Sequence, residues 1–298
     1  MKLSELAASM QNGTFQLTQD CEIDELALCT DLVNGRVLTY LEKEKYISSL
    51  DQANVVAVIC TETLLPKLPK WITGAIVSAA PKYAFYCMYN AWQAQKPIRK
   101  IPTVIGKGCK IAPTAVIAPY NVVIGEDTVI APGVVVEEFV TIGDRVRIDA
   151  NSVIGSSSFS AVRCQDRAIT LMDAGRVMIG SDVEIRSLCS IERGVFPGDV
   201  TVLSDGVKID QLVLIGHGSK IGERSFIVGS AYVAGNCVIG KDVWIGGNST
   251  LSNRIHIGDG ARVSLGAVVT KDVSAGQTVT GNFAIDHQTF LKNLKASL

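Results

Sequence analysis

The stretch IDQLVLIGHGSKIGERSFIVGSAYVAGNCVIGKDVWIGGNSTLSNRIHIGDGARVSLGAVV, residues 209–269, places an aliphatic side chain at every sixth position without a slip. The series runs Ile209, Ile215, Ile221, Ile227, Val233, Ile239, Ile245, Leu251, Ile257, Val263 and Val269, often followed by Gly or Ala. An α-helix repeats apolar residues about every 3.6 positions and a half-buried strand every second one, so a period of six fits neither. It fits a short strand plus a sharp turn, three of which make one coil of a triangular prism. The aliphatic side chain then fills the axis, and the small residue after it lets the backbone bend at the corner. Each coil hydrogen-bonds to the next, which leaves sheet edges only at the two ends. Ordinary Gly-turned hairpins would not hold one phase over eleven positions. The spacing predicts a parallel β-helix.

Working outward, the same period holds at Ile105, Ile111 and Ile117, then from Ile124 through Ile130, Val136, Ile142 and Ile148 to Ile154, and again at Ile179, Ile185 and Ile191. The span 105–269 accommodates about nine coils of ~18 residues, within a β-helix domain assigned to 101–282. Two stretches depart from the pattern. Residues 156–177, SSSFSAVRCQDRAITLMDAGRV, shift the phase by one and read as a polar excursion loop, a kind of segment that is commonly functional. Residues 193–203, RGVFPGDVTVL, keep the phase through Pro197 and Leu203 and read as a distorted corner.

Residues 1–100 have a different texture, that of a small α/β domain. LSELAASM near the start suggests a short helix, VVAVIC (55–60) and GAIV (74–77) read as buried strands, and Pro81 opens a helix through KYAFYCMYNAWQAQ. Residues 283–298 read as one short C-terminal helix. The 298-residue chain is 47% hydrophobic and 19% charged, which supplies a sizeable core and excludes intrinsic disorder. Its formal charge of −1 and lack of a basic run argue against a nucleic-acid partner. No run of about 18 apolar residues offers a membrane span. MKLSELAASMQNGTF lacks the apolar core of a leader, so a cytoplasmic location is expected. Eight scattered cysteines without a C-x-x-C pair read as reduced, mostly buried small hydrophobes. There are only three histidines, His217, His256 and His287, the last outside the repeats, so three imidazoles on facing coils are not on offer and no metal is expected.

IGSDVEIRSLCSIERGV (179–195), running on into DGVKIDQLVLIGH (205–217), is similar to segments of the UDP-3-O-acylglucosamine N-acyltransferases of lipid A biosynthesis. The resemblance covers about residues 20 to 282. It implies a left-handed β-helix carrying a uridine-binding N-terminal domain, assembled as a homotrimer with active sites between subunits. It also implies transfer of an acyl group, 3-hydroxyacyl in that family, from acyl carrier protein to the amine of a UDP-linked sugar. His217 then corresponds to the catalytic base. Chemistry favours the same residue, because amine acylation needs a proton acceptor poised near neutral pH. Asp210, seven residues upstream, is expected to orient the imidazole. Gly235, eighteen residues on and so one coil along, is expected to offer its N–H to the oxyanion.

The remaining binding positions come with departures from the family pattern. Tyr40, Lys43 and Tyr46 stand where the family has its uridine-binding Phe, Asn and Tyr, and Gln211 follows Asp210 where the family has Asn. Arg254 replaces the family's second histidine and is suited to hold a phosphate bidentately, with His256 two residues away. Val268 stands beside the expected acyl groove, where methionine is usual. No cofactor is expected beyond the donor thioester. These departures leave open a second reading, an acyl- or acetyl-coenzyme A-dependent N-acyltransferase of another nucleotide-linked amino sugar for surface-polysaccharide synthesis. A β-helix used only for assembly would not need the Asp210-to-His217 segment.

Overall fold

The computed structural model describes residues 1–8, 15–29, 34–52, 54–164, 167–281 and 286–297. From Val104 to Val279 the chain winds through strands mostly two residues long into three parallel sheets of nine, eight and eight strands. This is the parallel β-helix the period predicts, with the left-handed coiling the family resemblance implies. Face I starts at Lys110–Ile111, face II at Val116–Ile117 and face III at Val104–Ile105. The strands pair in register one coil apart, as in Ile209 with Ile227 and Ile227 with Ile245. All eleven aliphatic residues of the opening series are buried, from Ile215 at 0% to Val269 at 7% exposure.

The corners work differently from the sequence expectation. The small residue after the aliphatic one does not make the bend. A Cβ on Gly222 would stand 2.5 Å from the carbonyl carbon of Gly240, so glycine there is demanded by close stacking of successive coils. The bend falls two residues later, where the backbone is left-handed even at non-glycine positions such as Arg224 (φ 56°), Asn236 (φ 60°) and Arg254 (φ 63°).

The N-terminal residues form a five-stranded sheet in the order Phe15–Gln19, Gly74–Ser78, Val55–Cys60, Val37–Leu41, Glu25–Leu26. Only the first pair is antiparallel. Helix α1 (Leu3–Ala8) and helix α2 (Pro81–Gln95) accompany it, and helix α3 (His287–Ser297) ends the chain. The expected start of α3 at 283 lies outside the described residues. Of the cysteines with described burial, Cys60, Cys189 and Cys237 are buried, while Cys21, Cys29, Cys87 and Cys109 are half-buried, so the expectation of mostly buried thiols holds for fewer than half.

Both interruptions of the six-residue pattern leave the β-helix between faces II and III, and both receive α2. The excursion carries a small antiparallel hairpin, Ala161–Cys164 with Arg167–Thr170. Asn90 on α2 donates from Nδ2 to the Thr170 carbonyl at 2.8 Å and accepts the Met172 N–H at 2.8 Å. At the second interruption, Phe196 packs edge-on against Tyr89 with ring centroids 5.1 Å apart, and the Tyr89 hydroxyl donates to the Val195 carbonyl. Leu171, Val195 and Phe196 thereby join the hydrophobic core of the N-terminal layer. The stretch expected to be only a distorted corner is a docking surface.

Candidate active site

The edge between faces II and III stacks one residue set per coil. His217 lies after the face II strand Leu214–Ile215, Gly235 after Tyr232–Val233, and Arg254 after Thr250–Leu251. The first two meet within one chain. A Cβ on Gly235 would stand 2.7 Å from Cδ2 and Cε1 of His217 and nearer still to Nε2, so the imidazole lies directly over the glycine. The Gly235 N–H donates to no group among the described residues, while its carbonyl accepts the Arg254 N–H at 3.1 Å. His217 is fixed from both sides: its N–H donates to Glu192 Oε2 at 3.0 Å, and its carbonyl accepts the Asn236 N–H at 2.7 Å.

The ring itself is half-buried. Its Nδ1 is enclosed with no hydrogen-bond partner among the described residues, which leaves Nε2, over Gly235, as the nitrogen able to exchange a proton. Burial pushes the imidazole below its ordinary value of 6.5; the carboxylates of Asp199 and Asp173 pull it back up, and Arg254 pushes it further down. The acids come from the two interruptions. Burial holds Asp173 above the usual carboxylate range although Ser158 donates to it from its N–H (2.6 Å) and its hydroxyl (2.7 Å). Burial likewise raises Glu192. A neutral imidazole with Nε2 available, beside a backbone N–H without a partner among the described residues, can take a proton from a nucleophile and meet a developing oxyanion.

Asp210 is not part of this group. It lies on the edge between faces I and II, accepts the Gly229 N–H at 3.1 Å and lines a recess on face I with Arg186, Lys208 and Phe226. A separation of seven residues carries the chain past a whole face, so Asp210 cannot orient the imidazole of its own chain. Gln211 shares that other edge and is exposed. Among the described residues, the acids within electrostatic reach of His217 are Asp199 and Asp173.

Tyr40 lies on the strand Val37–Leu41, with its ring 5.2 Å from Phe85 on α2. Tyr46 is separate, 40% exposed, with the Lys45 ammonium 4.9 Å above its ring. Lys43 is exposed at the turn between them. Burial pushes the phenols of Tyr40 and Tyr86 up, and Arg254 counters it in both, so that guanidinium is within electrostatic reach of the N-terminal layer and of His217. Arg254 is exposed and forms no salt bridge among the described residues. Val268 continues the face II ladder Tyr232, Thr250, Val268 and is 71% exposed.

The family model for the bacterial transferase hexapeptide (six repeats) matches residues 121–156 and 236–271. The chain is 33% identical over 262 residues to UDP-3-O-acylglucosamine N-acyltransferase of Coxiella burnetii, covering 78% of this chain and 74% of that one. It is 33% identical to the enzyme of the same name from Wolinella succinogenes, covering 88% and 87%. Among solved structures, UDP-N-acetylglucosamine acyltransferase of Francisella novicida superposes with a TM-score of 0.51 at 27% identity, covering 64% of this chain and 71% of that one.

Proposed function

The chain belongs to the UDP-3-O-acylglucosamine N-acyltransferase family, and on that premise we propose that it moves an acyl group from a thioester to the amine of a UDP-linked amino sugar, with His217 as the base. The observation that carries the proposal is the imidazole seated with Nε2 over Gly235, whose backbone N–H has no partner among the described residues.

The steps follow from that geometry. The sugar amine attacks the thioester carbonyl while Nε2 of His217 takes its proton, so a C–N bond forms and the carbonyl oxygen gains negative charge. The Gly235 N–H donates to that oxygen. As the tetrahedral intermediate collapses, the C–S bond breaks and the leaving thiolate takes the proton back from Nε2. Atoms and charge balance, and the neutral imidazole is restored.

Substrate positions are assigned by chemistry. Tyr46, which is exposed, and Tyr40 are assigned to the uracil, and Lys43 and the Arg254 guanidinium, without a salt bridge among the described residues, to the phosphates. The acyl chain lies along face II past Tyr232 and Val268. Acyl carrier protein is the assigned donor partner, through its phosphopantetheine thioester. Asp210 and Gln211, on the far edge, serve a neighbouring subunit's site in a homotrimer. Among the described residues no helix is long and apolar enough to cross a membrane.

The test is His217→Ala assayed with acyl carrier protein and coenzyme A thioesters of several lengths, with fold and oligomer checked first. Loss of at least about 10² in kcat supports the base, at the lower end for general-base catalysis. Turnover within a few-fold of wild type removes it. A preference for coenzyme A thioesters overturns the carrier-protein assignment alone.

A further inference from the structure

The His217 ring has one unexplained feature: a buried Nδ1 with nothing to donate to or accept from among the described residues. Such an atom is costly to leave buried unless a partner reaches it during the working cycle. Three carboxylates lie near His217. Asp173 is committed with both oxygens and Glu192 with one. Glu192 Oε2 accepts the backbone N–H of His217 itself, and both oxygens of Asp173 accept from Ser158. Asp199 differs. Its backbone is pinned by Asp199 N–H to the Phe196 carbonyl at 2.8 Å and by the Arg176 N–H to the Asp199 carbonyl at 3.0 Å. Its Oδ2 accepts the Val195 N–H at 3.1 Å, while Oδ1 has no donor among the described residues.

The carboxylate also lies against the residue next to the base. A Cβ on Gly218 would stand 2.7 Å from Asp199 Oδ1 and 2.8 Å from Oδ2, so glycine at 218 is what lets the acid approach. Gly194 completes the cradle, since a Cβ there would stand 2.5 Å from the Asp199 carbonyl carbon.

We propose that Asp199 is the positioning residue of His217, its free Oδ1 accepting the Nδ1–H and thereby holding Nε2 unprotonated over Gly235. The inference rests on the reading of His217 as the base. A carboxylate at Nδ1 fixes tautomer and ring plane and stabilises the imidazolium formed in the transition state. Hydrogen bonds of this kind are often long in an unliganded site and tighten with substrate. The charged groups near the ring are Asp173 from the excursion, Glu192 at the end of the face II strand Ser190–Glu192, Asp199 from the second interruption and Arg254 two coils on, with Arg193 alongside Asp173. Glu192 Oε1 is also without a donor among the described residues. Asp199 and Asp173, however, are the acids whose charge reaches the ring, and of that pair Asp199 is the one with an unused oxygen.

Nitrogen-15 NMR of the imidazoles tests this without reference to turnover, because the chain has three histidines. Wild type is expected to show His217 as the Nδ1–H tautomer at neutral pH. Asp199→Asn, which retains an acceptor for Val195, is expected to mix the tautomers and move the His217 titration to lower pH. It should lower kcat roughly 10- to 100-fold with KM unchanged and carry the acid limb of the rate profile down with the titration. Asp199→Glu should return the titration towards wild type. An Nε2–H tautomer in wild type, or Asp199→Asn with unaltered tautomer and kcat, overturns the assignment, as does Asp173→Asn reproducing the whole effect alone. If His217→Ala retains turnover while the NMR coupling is seen, the pair stands and the catalytic reading of His217 fails instead.

Discussion

Replacing Gly235 by Ala adds one methyl group where the imidazole of His217 lies. The new Cβ would stand 2.7 Å from two ring carbons. Carbon atoms settle at about 3.5–4.0 Å, so the ring must retreat by roughly 1 Å. The backbone at 235 is not left-handed, so alanine brings no conformational strain of its own. The half-exposed ring yields more easily than the coil, and the fold should survive with a stability loss at or below the ~1–3 kcal/mol of core overpacking. Catalysis should suffer more, since a misplacement of about 1 Å costs on the order of 10²-fold. The N–H at 235 is retained, so the loss reports on the base and not on the oxyanion donor. Steady-state kinetics with saturating thioester should show kcat down about 10²-fold and the nucleotide-sugar KM little changed. Because burial depresses the His217 pKa, a ring pushed towards solvent should titrate higher, moving the acid limb of kcat upward. Gly247→Ala is the matched control: it occupies the same repeat position on another edge, and its nearest contact would be 3.2 Å. If Gly235→Ala keeps kcat within threefold of Gly247→Ala, allowing about the usual few tenths of a kcal/mol of scatter, the imidazole does not work from that position.

Three further outcomes are expected. The acid limb of kcat/KM should titrate below pH 6.5, because burial favours the neutral imidazole; a limb above 6.5 would contradict the site's electrostatics. Arg254→Ala should raise the nucleotide-sugar KM and move the His217 titration upward, opposite to Asp199→Asn; Arg254→Lys should restore the titration better than the KM, since lysine keeps the charge and loses the fork. Ile227→Asp should abolish the cooperative thermal transition seen by circular dichroism, because Ile227 is 1% exposed on the axis and an unpaired carboxylate there costs several kcal/mol; a folded, soluble variant would refute the register.

The β-helix was legible because one requirement, an axial aliphatic residue at each side of the prism, repeats often enough to leave a phase. Strands such as Glu25–Leu26 and Phe15–Gln19 carried no comparable signal, the first being too short for alternation and the second polar at most positions. His217 and Gly235 were readable together because eighteen residues is one coil. The same arithmetic misplaces Asp210: closeness in sequence is not closeness on a prism, and seven residues is one face too many. Asp173 and Asp199 were hidden for a different reason. They sit where the period fails, so their coil position cannot be counted from the repeat. The usable signal was the edge at which both interruptions leave the helix, which is the edge of His217.

An array in which each coil touches only its neighbours comes apart like a zipper, from its ends. The coils bearing the two interruptions are clasped by α2 through Asn90, Tyr89 and Phe196, whereas the coils beyond His217 have no such clasp among the described residues. Opening from the far end therefore strips Arg254 first, Gly235 second and His217 last. Warming should weaken nucleotide-sugar capture before it abolishes proton transfer, and a chain that has lost its grip on substrate will still look largely folded.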